Sequence, residues 1–170
     1  SGSAPLKVMV VDDNAAERMM LSEQLSSMGI AVSVASSAHE ALIAIRSADA
    51  SMPYQVVLMD WRMPEMDGVQ AAGVISRDQT LQHKPAVVLI TAFGLTDIHD
   101  AAVEAGVLAF LEKPVSQSRL WDTLARFQRA GPGSEVNRGD SSLTQRQALG
   151  IKVLLVEDNE INQQVATELM

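Results

Sequence analysis

The stretch VVLMDWRMPEMDG, Val56 to Gly68, decides how this chain folds. Val56-Val57-Leu58-Met59 is a short continuous apolar run, the mark of a strand buried on both faces. It ends on a single carboxylate, Asp60. A turn-rich segment follows, with Pro64 and then Asp67-Gly68. Open α/β sheets place their chemistry in the crevice outside the carboxyl ends of the strands. Asp60 alone could simply cap a turn. Three other strand ends also carry functional residue types: Asp12-Asp13, Thr91 and Lys113.

Outward from Asp60, the same alternation repeats. Leu6 to Val11 is a strand ending at Asp12-Asp13. Asn14 or Asp13 caps a helix through about Met28, with Met20, Leu21, Leu25 and Met28 at helical spacing and Gly29 as its stop. Ile30 to Ala35 reads as an edge strand. Ser37 opens a helix through about Ala48, with Ala41, Leu42 and Ile45 inward. Val69 to Ser76 is a third helix. Ala86 to Ile90 is a strand ending at Thr91, and a helix follows over about Asp97 to Ala105, stopped by Gly106. Leu108 to Leu111 is a fifth strand, ending at Glu112-Lys113-Pro114. Ser116 opens a last helix to about Arg129, with Leu120, Leu124 and Phe127 on one face. Five strands alternating with five helices imply a parallel sheet covered on both faces. The expected class is α/β: a flavodoxin-like (βα)5 doubly wound sheet ordered 2-1-3-4-5, whose first and third strands flank the switch point.

Composition fits one buried domain with chain left over. Of 170 residues, 47% are hydrophobic and 20% charged, with no cysteine. That is globular, and it excludes disulfides and thiolate metal sites. A net charge of −8 and a pI near 4.8 argue against nucleic acid or anionic lipid as a partner. No apolar run approaches the ~20 residues of a membrane span. Ser1-Gly2-Ser3 reads as a cleavage scar, which makes residues 1–5 a leader and the chain an excised fragment.

After residues 6–130 the character changes. Residues 131–150 form a polar linker containing GPGS and NRGDSS. Then Ile151 to Asn159, IKVLLVEDN, echoes LKVMVVDDN at Leu6 to Asn14. Residues 151–170 therefore begin a second copy of the domain, cut off after one strand and part of one helix. Such a piece has no core of its own. It is expected to be mobile or docked on a neighbour, which leaves a homodimer or an exchange through this segment open.

Bringing the strand ends together gathers Asp12, Asp13 and Asp60. Three carboxylates within a few ångströms repel, so one keeps its proton unless a cation compensates. Lys113 supplies one positive charge and a divalent metal the rest. All-oxygen ligands suit Mg2+, with Mn2+ as a substitute. Asp60 could then attack phosphorus as a carboxylate nucleophile. Thr91 and Lys113 would hold the phosphoryl oxygens. The acidic pair could instead only cap the first helix, but one aspartate would suffice for that. Trp61 and Trp121 read as packing residues; Trp121 lies next to the apolar stripe of the last helix and could instead mark a partner surface, though edge packing is the preferred reading. His39, His83 and His99 read as surface residues in polar surroundings, and Met59, Met63 and Met66 as loop and core packing.

The segments VVDDN, DWRMPEMDG, LITA and AFLEKP, in this order and spacing, resemble the receiver domain of two-component response regulators. The resemblance implies that Asp60 is the phosphoacceptor. It implies that Asp13 and Asp60 bind magnesium directly, Asp12 mostly through water, and that the backbone carbonyl of Arg62 is the remaining protein ligand. Thr91 matches the hydroxyl that follows the phosphoryl group, and Lys113 the family's lysine. The Lys113-Pro114 bond is expected cis. Phe110 sits at the aromatic switch position. LLVEDNEINQQVA, within the second copy, resembles the start of a receiver in hybrid sensor histidine kinases, where tandem receivers are typical. Glu157 and Asp158 match its acidic pair. The implied partner is a histidine-kinase phosphoacceptor domain or a histidine phosphotransfer domain, in the cytoplasm; the parent kinase can itself be membrane-anchored. The fragment is expected to catalyse only its own aspartyl phosphorylation and dephosphorylation. The other reading is a receiver-like docking module that is never phosphorylated. An aspartate-nucleophile phosphatase of the haloacid-dehalogenase type wants its nucleophile on the first strand and a second aspartate two residues on; position 14 here is Asn14.

Overall fold

The structure, a computed structural model, describes residues 5–92 and 95–130; the linker expected over 131–150 and the second copy expected over 151–170 lie outside them. Among the described residues, eleven elements follow one another: β1 (Lys7–Val11), α1 (Ala15–Ser27), β2 (Ala31–Ala35), α2 (Ala38–Ala48), β3 (Val56–Asp60), α3 (Gly68–Arg77), β4 (Ala86–Thr91), a 3-10 turn (Leu95–Asp97), α4 (His99–Glu104), β5 (Val107–Glu112) and α5 (Gln117–Ala130). The strands form one sheet in the order β2-β1-β3-β4-β5, and every pairing is parallel. This is the flavodoxin-like, doubly wound arrangement.

The pleat sorts the apolar strands into two cores. Met9, Val11, Val57, Met59, Val87 and Leu89 face one side, with Ala41, Leu42, Ile45, Ala71, Ala72 and Ile75 of α2 and α3. Val8, Val10, Val56, Leu58, Val88 and Ile90 face the other, with Leu21, Leu25, Leu120 and Leu124 of α1 and α5. Alternate residues reach opposite faces because the strand period is two. A continuous apolar run therefore feeds both cores at once. Each fully buried large side chain is worth about 1.5–3 kcal/mol against exposure.

Helix starts are set by short polar side chains. The Asn14 side chain accepts from the backbone N–H groups of Ala16 and Glu17. Asn14, not Asp13, is thus the cap of α1. Ser37 caps α2, and Asp67 with Gln70 forms a capping box on α3. Gly29 and Gly106 end α1 and α4 with φ of 77° and 98°, the left-handed region where a Cβ is costly.

Four expectations need correction. Met20 is 46% exposed rather than inward; the buried residues of α1 are Leu21 and Leu25, with Met28 half-buried at its cap, and Met20 lies about 100° round from Leu21. The helix expected over 97–105 is split into a 3-10 turn and a short α4. Its N-cap, Ile98, makes no side-chain capping bond, so nothing fixes an earlier start. Trp121 is 50% exposed rather than packed. Leu120 and Leu124 hold the inward face of α5, and Trp121 follows one step round. His99 is half-buried, with its ring stacked on Phe110 at 5.2 Å and 26°, so its surroundings are not simply polar. His39 and His83 are exposed, as expected.

Candidate functional site

The site forms where β1 and β3 part from each other at the switch point. Register places the tips level: Val11 pairs with Met59, and Asp60 pairs with Ile90. Backbone bonds just past the strands continue the ladder. Asp12 N–H donates to Ala35 O at 3.2 Å, Trp61 N–H to Ile90 O at 2.9 Å, and Lys113 N–H to Thr91 O at 2.8 Å. Each functional residue is therefore fixed by its own strand and by a neighbour's.

Asp12, Asp13 and Asp60 each offer a carboxylate oxygen, and these oxygens lie within 4.8 Å of one another. Asp12 and Asp60 are buried, at 1% and 7% exposure, while Asp13 is open to solvent. Asp12 Oδ1 accepts from the Asn14 N–H at 2.8 Å. Asp12 Oδ2 is buried with no hydrogen-bond partner among the described residues. A buried carboxylate oxygen without a donor is costly, and a cation between these carboxylates would satisfy it. The donor set is all oxygen with one open side, which suits a hard, water-carrying divalent ion. The residues fit a bound metal.

Lys113 reaches into the cluster. Its Nζ lies 2.9 Å from Asp60 Oδ1 and 3.8 Å from Asp12 Oδ2, and it donates to Glu17 Oε2. Burial disfavours its charge, but Glu17 and Asp60 outweigh that and raise its pKa. Burial pushes the Asp12 carboxyl up to about 7, against the Asn14 N–H and with a further push from Glu17 and Asp60. Asp60 is also raised by burial, with Lys113 opposing. One lysine does not neutralise four acids, so without a cation the cluster favours retaining a proton.

The other sequence-derived residues are placed as follows. Thr91 ends β4, 1% exposed, and its carbonyl binds Lys113 N–H. Arg62 follows Asp60 by two residues, and its guanidinium carbon lies 4.8 Å from the Trp61 ring centroid. The Lys113-Pro114 peptide is cis. Phe110 lies on β5 opposite Leu89, half-buried and stacked on His99. The loop after β3 contains a γ-turn: Met66 N–H donates to Pro64 O at 2.8 Å, and Glu65 between them has φ 68°, a conformation non-glycine residues rarely adopt. Gly68 closes it. A Cβ there would meet Leu89 Cδ1 at 2.5 Å and Asp60 O at 2.7 Å. Two acids escaped the sequence reading. Asp49 is buried and accepts from the N–H groups of Gln82 and His83, both at 2.8 Å. Glu17 joins the site; its place one helical turn after the acidic pair was the available signal.

Carboxylates and a lysine converging on the switch point of a 2-1-3-4-5 sheet, with a threonine ending the neighbouring strand, define a receiver-type domain. The response regulator receiver domain family matches residues 8–125, and the chain belongs to that family. It is similar to the signal transduction histidine-protein kinase BarA of Escherichia coli K12, 32% identical over 132 residues. That alignment takes in 78% of this chain and 14% of BarA. The chain thus spans a small part of that relative's length. Among solved structures it resembles the chemotaxis protein CheY4 of Vibrio cholerae, with TM-score 0.64 and 26% identity over 73% of this chain and 99% of that one. It also resembles the receiver domain of sensor histidine kinase PA1611 of Pseudomonas aeruginosa PAO1, a structure with magnesium coordinated in its active site cleft. There the TM-score is 0.62 and the identity 26%, over 74% of this chain and 99% of that one. Among the described residues, no helix is long and apolar enough to cross a membrane.

Proposed function

We propose that this receiver accepts a phosphoryl group on Asp60 from a phosphohistidine, using magnesium held by Asp13, Asp60 and the Arg62 carbonyl, with Asp12 acting mostly through water. The observation that carries the reading is the buried Asp12 Oδ2, which has no hydrogen-bond donor among the described residues and only a 3.8 Å approach from Lys113, beside an acceptor that Lys113 already holds. An Asp60 carboxylate oxygen attacks phosphorus, an O–P bond forms, and the N–P bond of the donor breaks. The electron pair goes to the imidazole nitrogen of the donor. Magnesium, when bound, offsets the charge of the carboxylates and of the entering group. Lys113 is positioned to hold a phosphoryl oxygen, and the Thr91 hydroxyl another. Thr91 drawn toward the phosphoryl group leaves room for Phe110 to turn inward, so the face built from α4, β5 and α5 shifts between two populations. The donor is a histidine-kinase phosphoacceptor domain or a phosphotransfer domain. The likeness to BarA and the echo of Leu6 to Asn14 in the sequence of Ile151 to Asn159 support a hybrid histidine kinase as the parent chain.

Incubation with acetyl phosphate and magnesium tests this. The intact mass is expected to rise by one phosphate, and Asp60→Asn, which keeps the shape and removes the nucleophile, is expected to stay unmodified while remaining folded. A wild-type chain that neither gains phosphate nor binds beryllofluoride with magnesium is a docking module instead.

A further inference from the structure

Glu17 is placed by α1, not by a strand tip. Asn14 is the N-cap, so Glu17 is the third residue of the helix. A glutamate there ordinarily reaches back to the N-cap backbone N–H as half of a capping box. In this chain that N–H is already taken by Asp12 Oδ1 at 2.8 Å. The Glu17 carboxylate turns instead to Lys113 Nζ. The same ammonium group contacts Asp60 Oδ1 at 2.9 Å. The Glu17 side chain is 34% exposed and that of Lys113 24%, so this contact is partly shielded from water and screened less by salt than an exposed pair. The repeat makes the choice of residue visible: position 162, which matches position 17, is a neutral asparagine.

We propose that Glu17 is a positioning residue that competes with the phosphoryl group for Lys113 and so restrains phosphorylation of Asp60. The proposal rests on the receiver reading and deepens it. When acetyl phosphate is the donor, the Asp60 O–P bond forms as the bond from phosphorus to the acetate oxygen breaks, and acetate leaves with the electron pair. Lys113 must follow the moving oxygens, and Glu17 holds it back. Glu17 also adds one negative charge beside the path of an anionic donor.

The decisive comparison is wild type against Glu17→Gln, which keeps the length and removes the charge. Beryllofluoride affinity at saturating magnesium is expected to rise about threefold to tenfold, the range of a partly shielded charged contact. The rate constant with acetyl phosphate is expected to rise in the same range. Magnesium affinity, read from the fluorescence of Trp61 beside Asp60, is expected to stay level or fall, since an acid has left the site. A purely structural role would weaken both ligands together. Beryllofluoride affinity that is unchanged or lower in Glu17→Gln overturns the proposal. Glu17→Asn, the residue of the second copy, provides the same comparison if Glu17→Gln does not fold. A wild-type chain inert to acetyl phosphate and beryllofluoride would remove the receiver reading itself, and this proposal with it.

Discussion

Lys113 is held by two acids from different elements, and Asp12 keeps one oxygen with no donor. Those two facts set the chemistry of the site more than any single carboxylate does. Asp13 is the exposed member of the acidic trio, and as a direct ligand it would have little other work. Asp13→Ala is expected to weaken magnesium binding at least about tenfold while leaving thermal stability nearly unchanged. Metal affinity equal to wild type in a titration would remove Asp13 from the ligand set. At this scale the sequence was informative about Asp12, Asp13, Asp60, Thr91 and Lys113 because each follows an apolar run that ends abruptly. Its signal at Glu17 was weak, because an acid in the first turn of a helix is the commonest of features. Only the fixed start at Asn14, and the use of its N–H by Asp12, turn that side chain toward Lys113.

Among elements, the junction of β3 and α3 is the tightest. The first residue of α3 has no room for a methyl group: the Cβ would press on the backbone oxygen of Asp60 and on Leu89, which is fully buried. Gly68→Ala is expected to destabilise the domain by about 1–3 kcal/mol, measured by urea unfolding. A variant as stable as wild type would mean that the loop after Asp60 gives way freely. The ends of α2 and α3 are tied by Arg46 Nε to Asp78 Oδ2 at 2.8 Å. The Thr80 hydroxyl and then Arg46 hold the Asp78 carboxyl down at about 2, from an ordinary 3.8. A carboxylate depressed in the folded state stabilises above its unfolded pKa and loses that contribution as pH falls through the folded one. Asp78→Asn is thus expected to flatten the stability loss between about pH 4 and pH 2, while wild type declines there. Parallel acid curves for the two proteins would contradict this. The elements themselves were legible where capping residues and apolar spacing agreed, as in α2 and α3. At α4 only the start was not legible, since Ile98 offers no cap; on α1 the helix was legible but its inward face was not, because Met20 is as apolar as its buried neighbour Leu21.

For the molecule as a whole, strand order is what turns scattered residues into a site. Asp12 and Asp60 are 48 positions apart in sequence, by their numbers, yet β1 and β3 are adjacent. Their continuous apolar runs make both strands central, buried on two faces, and a central pair that diverges afterwards leaves a crevice at its tips. β5 shows the contrast: it lies at the sheet edge, and Leu108 on it is 46% exposed. An apolar run alone did not distinguish the edge from the centre. Reductive trapping bears most directly on Asp60 as the acceptor. The domain is treated with acetyl phosphate and magnesium, then with borohydride, which reduces an aspartyl phosphate to homoserine, and the peptides are sequenced by mass spectrometry. Homoserine at position 60 alone is the expected result; homoserine at position 12 or 13, or at none of the three, would contradict it.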